Sequence, residues 1–332
     1  MPENANRAQN FDEPANSVTG ACREWFENVA LASPVGPRPP KGPDRLRNEG
    51  KGFSMVSEHY DDLILKERNY NSYLKVPELL SLQQLISPQK HHDEMFFIII
   101  HQTAELWFKE ILHETHILVE SFMNGVVSRA LKTLKRIQAI MNLQIQQIQL
   151  LSTLTPVEFG GFRDLLKPAS GFQSIQYREI EFTYGFRDTF FLKFFSAKPE
   201  LMHRLKAIQE QPSVYDALIR CLDKDGHPIP KEILERDVTQ PWEPHEGLVS
   251  IVREVYENPK EHYHWVLMLE AMLDLDEKFV LWRKTHAVMV YRAIGNRQGT
   301  GGSKGYDFLV SREDLKFFPE LWTVRNLIGG DY

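Results

Sequence analysis

Between Asp93 and Asn124 the chain reads DEMFFIIIHQTAELWFKEILHETHILVESFMN, with neither proline nor glycine. Nothing else in the sequence restricts the fold as much. A stretch of this length far exceeds an ordinary strand, so a long helix is expected. Phe97, His101, Ala104, Phe108 and Leu112 recur at steps of three or four and line one face, which predicts a buried helix. Asp93 and Glu94 suit its N-terminus, where negative charge meets the helix dipole.

The rest of the chain follows the same pattern. From about Tyr73, YLKVPELLSLQQLI carries leucines at helical spacing. A second long helix is expected over about 127 to 152. After it come a Thr-Pro start and short helix, a break at Lys167 and Pro168, and a further helix with Ser170 as its cap. Residues 196 to 250 are more polar and broken by prolines, with a small helix expected at PSVYDALIRCLDKDG, and the last long helix covers roughly 259 to 294. There is no period-2 segment of any length and no internal repeat, so the expected fold class is all-α, a large helical domain. Its expected extent is 56 to 332, with a looser helical insertion around 196 to 250. Residues 1 to 55 read as a partly flexible N-terminal extension: a short helix at TGACREWFENVALA precedes SPVGPRPPKGPDRLRNEGKG, whose five prolines and four glycines forbid regular structure.

Composition removes several function classes. The formal charge is -6 over 332 residues, with no sustained basic stripe, so nucleic acid is not an expected partner. The run KTLKR at 132 to 136 reads as a solvated helix face. Two cysteines, Cys22 and Cys221, make no disulfide framework and point to a reducing compartment. The N-terminus has neither a basic region nor an apolar core of the secretory kind, and FFIII at 96 to 100 is far too short to cross a bilayer. A cytoplasmic protein with no membrane partner is expected.

Chemistry concentrates in the last long helix. Met268, Met272, Leu275, Phe279, Trp282, His286 and Met289 form an apolar stripe. His286 has two readings there: a core histidine donating to a carbonyl, or a ligand. A neutral imidazole bordered by a flat Trp and soft Met side chains suits the proximal side of a haem, and His101 is a second histidine on an apolar face. Together they could be bis-axial ligands, or one ligand and one distal group.

The loop GTGGSKG at 299 to 305 lacks the Walker order and follows a helix instead of a strand. Its glycines either allow the backbone and Thr300 to approach a bound group closely or provide plain flexibility. In FGGFRDLL, Phe159 and Arg163 share a face one turn apart, an arrangement that serves a carboxylate clamp or an ordinary salt bridge. His91 and His92 are adjacent, His262 and His264 point to different helix faces, and His113 and His116, which could share a metal, lack a convincing third ligand, so no zinc site is expected.

YNSYLKVPELLSLQ, HHDEMFFIIIHQTAELWFKEIL, LTPVEFGGFRDLLKPASGFQSIQYREIEF, LWRKTHAVMVYRAIGNRQGTGGSKG and FFPELWTVR, in this order, resemble the tryptophan 2,3-dioxygenase family. The likeness runs from about Tyr70 to Arg325 and is looser around 185 to 250. The resemblance implies an all-helical enzyme with haem b, active as Fe2+, that opens the indole ring of L-tryptophan with O2 to give N-formyl-kynurenine. It also implies a homotetramer. His286 matches the proximal ligand and His101 the distal histidine near the indole nitrogen. Phe97 matches an aromatic pocket wall, Arg163 the arginine on the substrate carboxylate, Phe159 the aromatic residue a turn before it, and Ser170 a serine near the haem pocket. Thr300 matches the threonine at the ammonium and carboxylate end. Tyr70 and Leu74 match residues donated by a neighbouring subunit. His101 is not assigned as an obligatory base, because the indole N–H is a very weak acid.

The loop departs from the usual GTGGSSGVxYL pattern at Lys304 and Tyr306, which makes these two positions candidates for specificity. A related haem monooxygenase acting on a substituted indole with an external reductant is the alternative within enzymes. A bis-histidine haem sensor or electron carrier is the alternative outside them.

Overall fold

The computed structural model describes residues 69 to 301 and 305 to 329. The N-terminal extension, its short helix, Cys22 and Lys304 lie outside the described residues. Among the described residues every regular element is helical, and no helix is long and apolar enough to cross a membrane.

Three long helices make the frame: α3 (His92–Met123), α4 (Val127–Leu151) and α11 (Pro259–Ile294). Helix α3 turns into α4 through Gly125, whose φ of +69° is open to glycine at no steric cost. So short a connection makes the two helices antiparallel neighbours, and α4 packs along both α3 and α11. Ile111, Leu118 and Phe122 of α3 meet Leu134, Ile137 and Met141 of α4 and Met268, Met272 and Phe279 of α11 in the main core, all fully buried. Burying each such side chain contributes about 1.5–3 kcal/mol.

The prediction of a buried α3 holds for its middle and C-terminal turns only. Ile99 and Leu106 are 42% and 51% exposed, and of the predicted stripe only Phe108 is fully buried. A second, smaller apolar cluster forms at this end of the helix, where Ile100 joins Ile148, Leu151, Leu154, Phe162 and Met289, with Phe97, Phe159 and Trp282 at its margin. The helical spacing from Tyr73 is also cut short. Two five-residue helices, α1 (Tyr70–Leu74) and α2 (Val76–Leu80), meet at Lys75, which adopts a left-handed φ of 55° just before Pro77. Beyond them the chain is irregular to His91. It is anchored because Glu94, at the start of α3, accepts from the amides of Ile86 at 2.7 Å and Ser87 at 3.1 Å.

Short helices fill the remaining sides. Helix α5 (Pro156–Arg163) starts from a Thr155 capping box, and α6 (Ile175–Thr183) is capped by Ser174, while Ser170 caps a separate 3-10 turn at 171–173. The helix expected to enter from Ser170 is thus divided into a 3-10 turn and α6. Past α7 (Pro199–Gln209), α8 (Val214–Lys224) packs on α3 and buries Val214, Leu218 and Leu222, while its Tyr215 meets Trp242 and Phe318. Its polar residues have buried work of their own: Ser213 caps the helix together with Asp216, whose carboxylate also takes Arg236 at 2.7 Å.

Helices α9 (Lys231–Leu234) and α10 (Glu246–Glu257) lead to α11, and α12 (Tyr306–Val310) and α13 (Pro319–Thr323) close the chain. Asp276 in the middle of α11 accepts from the amides of Phe317 and Phe318 and from Trp322 Nε1 at 3.0–3.1 Å. Because Asp276 is fully buried, this ties the C-terminal segment to the helix that carries His286. Cys221 is buried, and burial raises its thiol pKa, the character of an unreactive packing residue.

Candidate active site

The N-terminal turns of α3 supply one wall. His101 Nδ1 lies 2.7 Å from the carbonyl of Phe97. A carbonyl only accepts, so Nδ1 carries the proton and Nε2 is left as a lone-pair acceptor. The Phe97 ring sits 4.1 Å from the imidazole, stacks on Phe159 at 5.5 Å and meets Phe162 edge-on at 5.6 Å. His101 has open space against its ring, yet desolvation lowers its pKa against the raising effects of the Phe97 carbonyl and Glu105. Its crowded surroundings thus favour the neutral imidazole although the ring keeps an open side.

His286 stands on α11. One turn before it, Trp282 stacks on its ring at 5.4 Å and 20°, as the i, i+4 spacing allows. Trp282 is itself braced by Tyr177 at 4.8 Å and by the edge of Phe108 at 6.1 Å. Burial, with a smaller push from His101, lowers the His286 pKa to about 4. Both imidazoles are therefore neutral at pH 7, and each is within electrostatic reach of the other.

These residues fit a haem. The macrocycle needs an apolar slot with room for polar groups at its edge, and its iron needs an unprotonated imidazole nitrogen. Trp282 Nε1 is a buried donor with no acceptor among the protein atoms. No cluster of three His, Cys, Asp or Glu side chains arranged for a bare metal ion occurs among the described residues.

Helix α5 brings the third set of residues. Thr155 and Glu158 satisfy each other's amides at 2.9 and 3.3 Å, which starts the helix so that Phe159 and Arg163 share a face. Arg163 donates from Nη2 to the carbonyl of Gln298, in the loop that leaves α11. The next contact along that loop is between Gly301 and Ser170, with Thr300 half-buried beside it. The chain thus brings Arg163, Ser170 and Thr300 to one loop, while Phe97, His101 and Phe159 form a connected aromatic cluster.

Other predicted residues stand apart. The Tyr306 ring packs on Tyr291 of α11 at 4.6 Å. Tyr70 and Leu74 are 73% and 46% exposed on α1, none of whose residues is buried.

Sequence reasoning did not single out Phe162, Gln298 or Gly161. Phe162 is fully buried between Phe97 and Phe159, and the second aromatic of FGGF was the available signal. Gly161 leaves room for the His91 ring, whose nearest atom would lie 2.7 Å from an added Cβ. Gln298 acts through its carbonyl, so its side-chain type carried no signal at all.

A sequence model of the family described as tryptophan 2,3-dioxygenase matches residues 64–204 and 245–328. A tryptophan 2,3-dioxygenase of Bacillus cereus is 44% identical over 256 residues, 77% of this chain and 91% of the relative. The proteins of the same description from Rhodococcus jostii and Serratia proteamaculans are 44% and 42% identical over 79% and 80% of this chain, and over 92% and 94% of their own lengths. Residues 205 to 244, which include α8 and α9, fall between the two matched stretches of the family model.

Proposed function

The chain belongs to the tryptophan 2,3-dioxygenase family, and from that premise we propose that it is a haem-dependent dioxygenase cleaving the C2–C3 bond of L-tryptophan with O2 to give N-formyl-L-kynurenine. The observation that carries this reading to the residues is the pairing of two histidines with one aromatic cluster. A neutral His286 braced by Trp282 lies within electrostatic reach of a neutral His101, and the aromatic cluster around His101 extends to Phe159 one turn from Arg163.

His286 would hold the haem b iron, with Trp282 fixing the plane of its imidazole. The haem, in its Fe2+ state, supplies the binding and activation of O2. The protein's own part is placement. Arg163 forks onto the substrate carboxylate, and the Thr300 hydroxyl takes the ammonium and carboxylate end. Phe97, Phe159 and Ser170 bound the space for the indole. His101 Nε2 accepts the indole N–H, since Nδ1 is committed to the Phe97 carbonyl. With its pKa lowered by burial, His101 is a weak base, and hydrogen bonding is its role. Holding the ring and the amino-acid end at once converts an encounter into a near-attack arrangement. Both atoms of O2 enter the product, so turnover consumes no external reductant.

The functional unit is a homo-oligomer, a tetramer by analogy with the family, in which Tyr70 and Leu74 complete a neighbour's site. Their exposure on a helix with no buried residue supports this. The domain spans residues 56 to 332, preceded by the extension, and the setting is the cytoplasm. Lys304 and Tyr306 tune which indole is taken.

The test is the product mass after the ferrous, haem-loaded protein meets L-tryptophan and labelled O2. A product carrying both labelled atoms, formed without continued reductant, is expected. Incorporation of a single atom, with a reductant required, would overturn the reading in favour of a monooxygenase.

A further inference from the structure

We propose that Gly301 and Ser170 form a rigid steric seat that sets the position of Thr300, with Arg163 tethering the same loop through the Gln298 carbonyl. The proposal rests on the reading in which Arg163 and Thr300 take the amino-acid end of the substrate.

The loop leaves α11 at Gly295, in a left-handed φ of +60°. Between there and Gly301 two contacts reach the segment that carries Arg163 and Ser170. Gln298 is held by Arg163 Nη2. Gly301 lies so close to Ser170 that a Cβ placed on it would be 2.4 Å from Ser170 Oγ and 2.6 Å from Ser170 Cβ. Gly301 does not need glycine for its backbone, since its φ is not in the left-handed region. It needs glycine for space. The third neighbour, Phe172, would be at an ordinary 3.7 Å, so among the described residues the conflict is with Ser170.

Ser170 is held in place locally. Its Oγ accepts from the Phe172 amide at 3.3 Å and its own amide donates to Gln173 Oε1 at 3.2 Å. Phe172 is wedged among Phe194 at 5.4 Å, Phe191 at 5.8 Å and Phe308 at 5.0 Å. The atom in the way is also a Cβ, joined directly to the backbone, and not the end of a flexible chain.

Thr300 therefore sits between two fixed points, Gln298 and Gly301, both held by the segment that also carries Phe159 and Arg163. The hydroxyl and the guanidinium are kept in mutual register before any ligand arrives, which reduces the ordering cost of binding. Gln298 and Gly301 are positioning residues: neither needs to touch the substrate.

The test is a substitution cycle on the haem-loaded protein. Gly301→Ala is made in the wild-type, Ser170→Ala and Ser170→Gly backgrounds, and the Kd for L-tryptophan is measured by calorimetry. Ser170→Ala keeps the obstructing Cβ and Ser170→Gly removes it. Gly301→Ala is expected to weaken binding about tenfold or more in the first two backgrounds and less than about threefold in the third, the pattern of two residues in direct steric contact. An equal penalty in all three backgrounds, or none in any, overturns the seat. Hydrogen exchange of residues 295 to 301 is read in parallel. Protection should fall in Gly301→Ala and return in the Ser170→Gly/Gly301→Ala variant, and unchanged protection overturns the seat. If the wild-type protein has no affinity for L-tryptophan, the substrate reading fails, and the exchange data judge the seat without it.

Discussion

The Arg163 guanidinium has five N–H donors, and one of them is engaged by the Gln298 carbonyl. Among the described residues no other hydrogen bond from Arg163 is seen, which leaves donors for a carboxylate. Arg163→Ala should therefore raise the KM for L-tryptophan about ten- to hundredfold, the worth of a charge-assisted hydrogen bond of about 1.5–3 kcal/mol. Arg163→Lys should recover little, because an ammonium cannot fork. A steady-state KM unchanged in the alanine variant would remove Arg163 from the substrate.

Two groups away from these residues, the half-buried His116 and the buried Glu179, give the stability a pH dependence of opposite sign. Burial, with His113 adding, lowers the His116 pKa from 6.5 to about 4. Between those values the unfolded chain binds a proton that the folded chain refuses, so stability falls as pH drops through this window. Glu179 goes the other way: burial raises its pKa from 4.5 to about 7 despite Arg204. The folded chain holds the extra proton, and stability falls as pH rises from 4.5 to 7. The two windows overlap from about 4.5 to 6.5 and their slopes largely offset there, so urea midpoints should fall with rising pH in His116→Asn, where Glu179 acts alone, and with falling pH in Glu179→Gln, where His116 acts alone. Curves parallel to wild type would contradict the assignments.

At the scale of elements, the long helices were legible because a period of three to four is a local property. The bounds expected for the helices at 127 to 152 and 259 to 294 lie within a residue of those observed, Val127–Leu151 and Pro259–Ile294. The misreadings have local causes as well. Leucines at helical spacing after Tyr73 could not reveal that Lys75 turns left-handed and divides the segment. The ties between elements were not legible. Asp276 reads as one more polar residue of α11, yet it anchors Phe317, Phe318 and Trp322. Asp276→Ala would leave two buried amides and an indole N–H without an acceptor. It should cost at least ~3 kcal/mol in urea unfolding, with Asp276→Asn, which keeps one oxygen, losing less. A loss below about 1 kcal/mol would show that the C-terminal segment docks without this carboxylate.

For the whole molecule, the exposure of Tyr70 and Leu74 makes the assembly testable. If Tyr70 acts in a neighbour's site, Tyr70→Ala and Arg163→Ala should each be impaired as pure proteins, while co-assembled subunits regain activity. Random mixing in equal amounts gives about a quarter of sites with both residues intact. No recovery in verified mixed oligomers would place Tyr70 outside the neighbour's site.

The sequence by itself determined the helical class, the apolar stripe with Trp282 one turn before His286, and the shared face of Phe159 and Arg163, because each follows from spacing within one helix. It also carried the family, through motifs long enough to be specific. Only the tertiary structure decided that the Phe97 carbonyl leaves His101 Nε2 as the acceptor, that Trp282 is braced by Tyr177 and Phe108, that Arg163 reaches the Gln298 carbonyl, and that Gly301 rests on Ser170. Apart from the first, a rotamer choice within α3, these contacts join residues from separate elements, and no local period encodes such a distance. Gln298 makes the point most plainly: it acts through a backbone carbonyl that every residue possesses, so only its place in space distinguishes it.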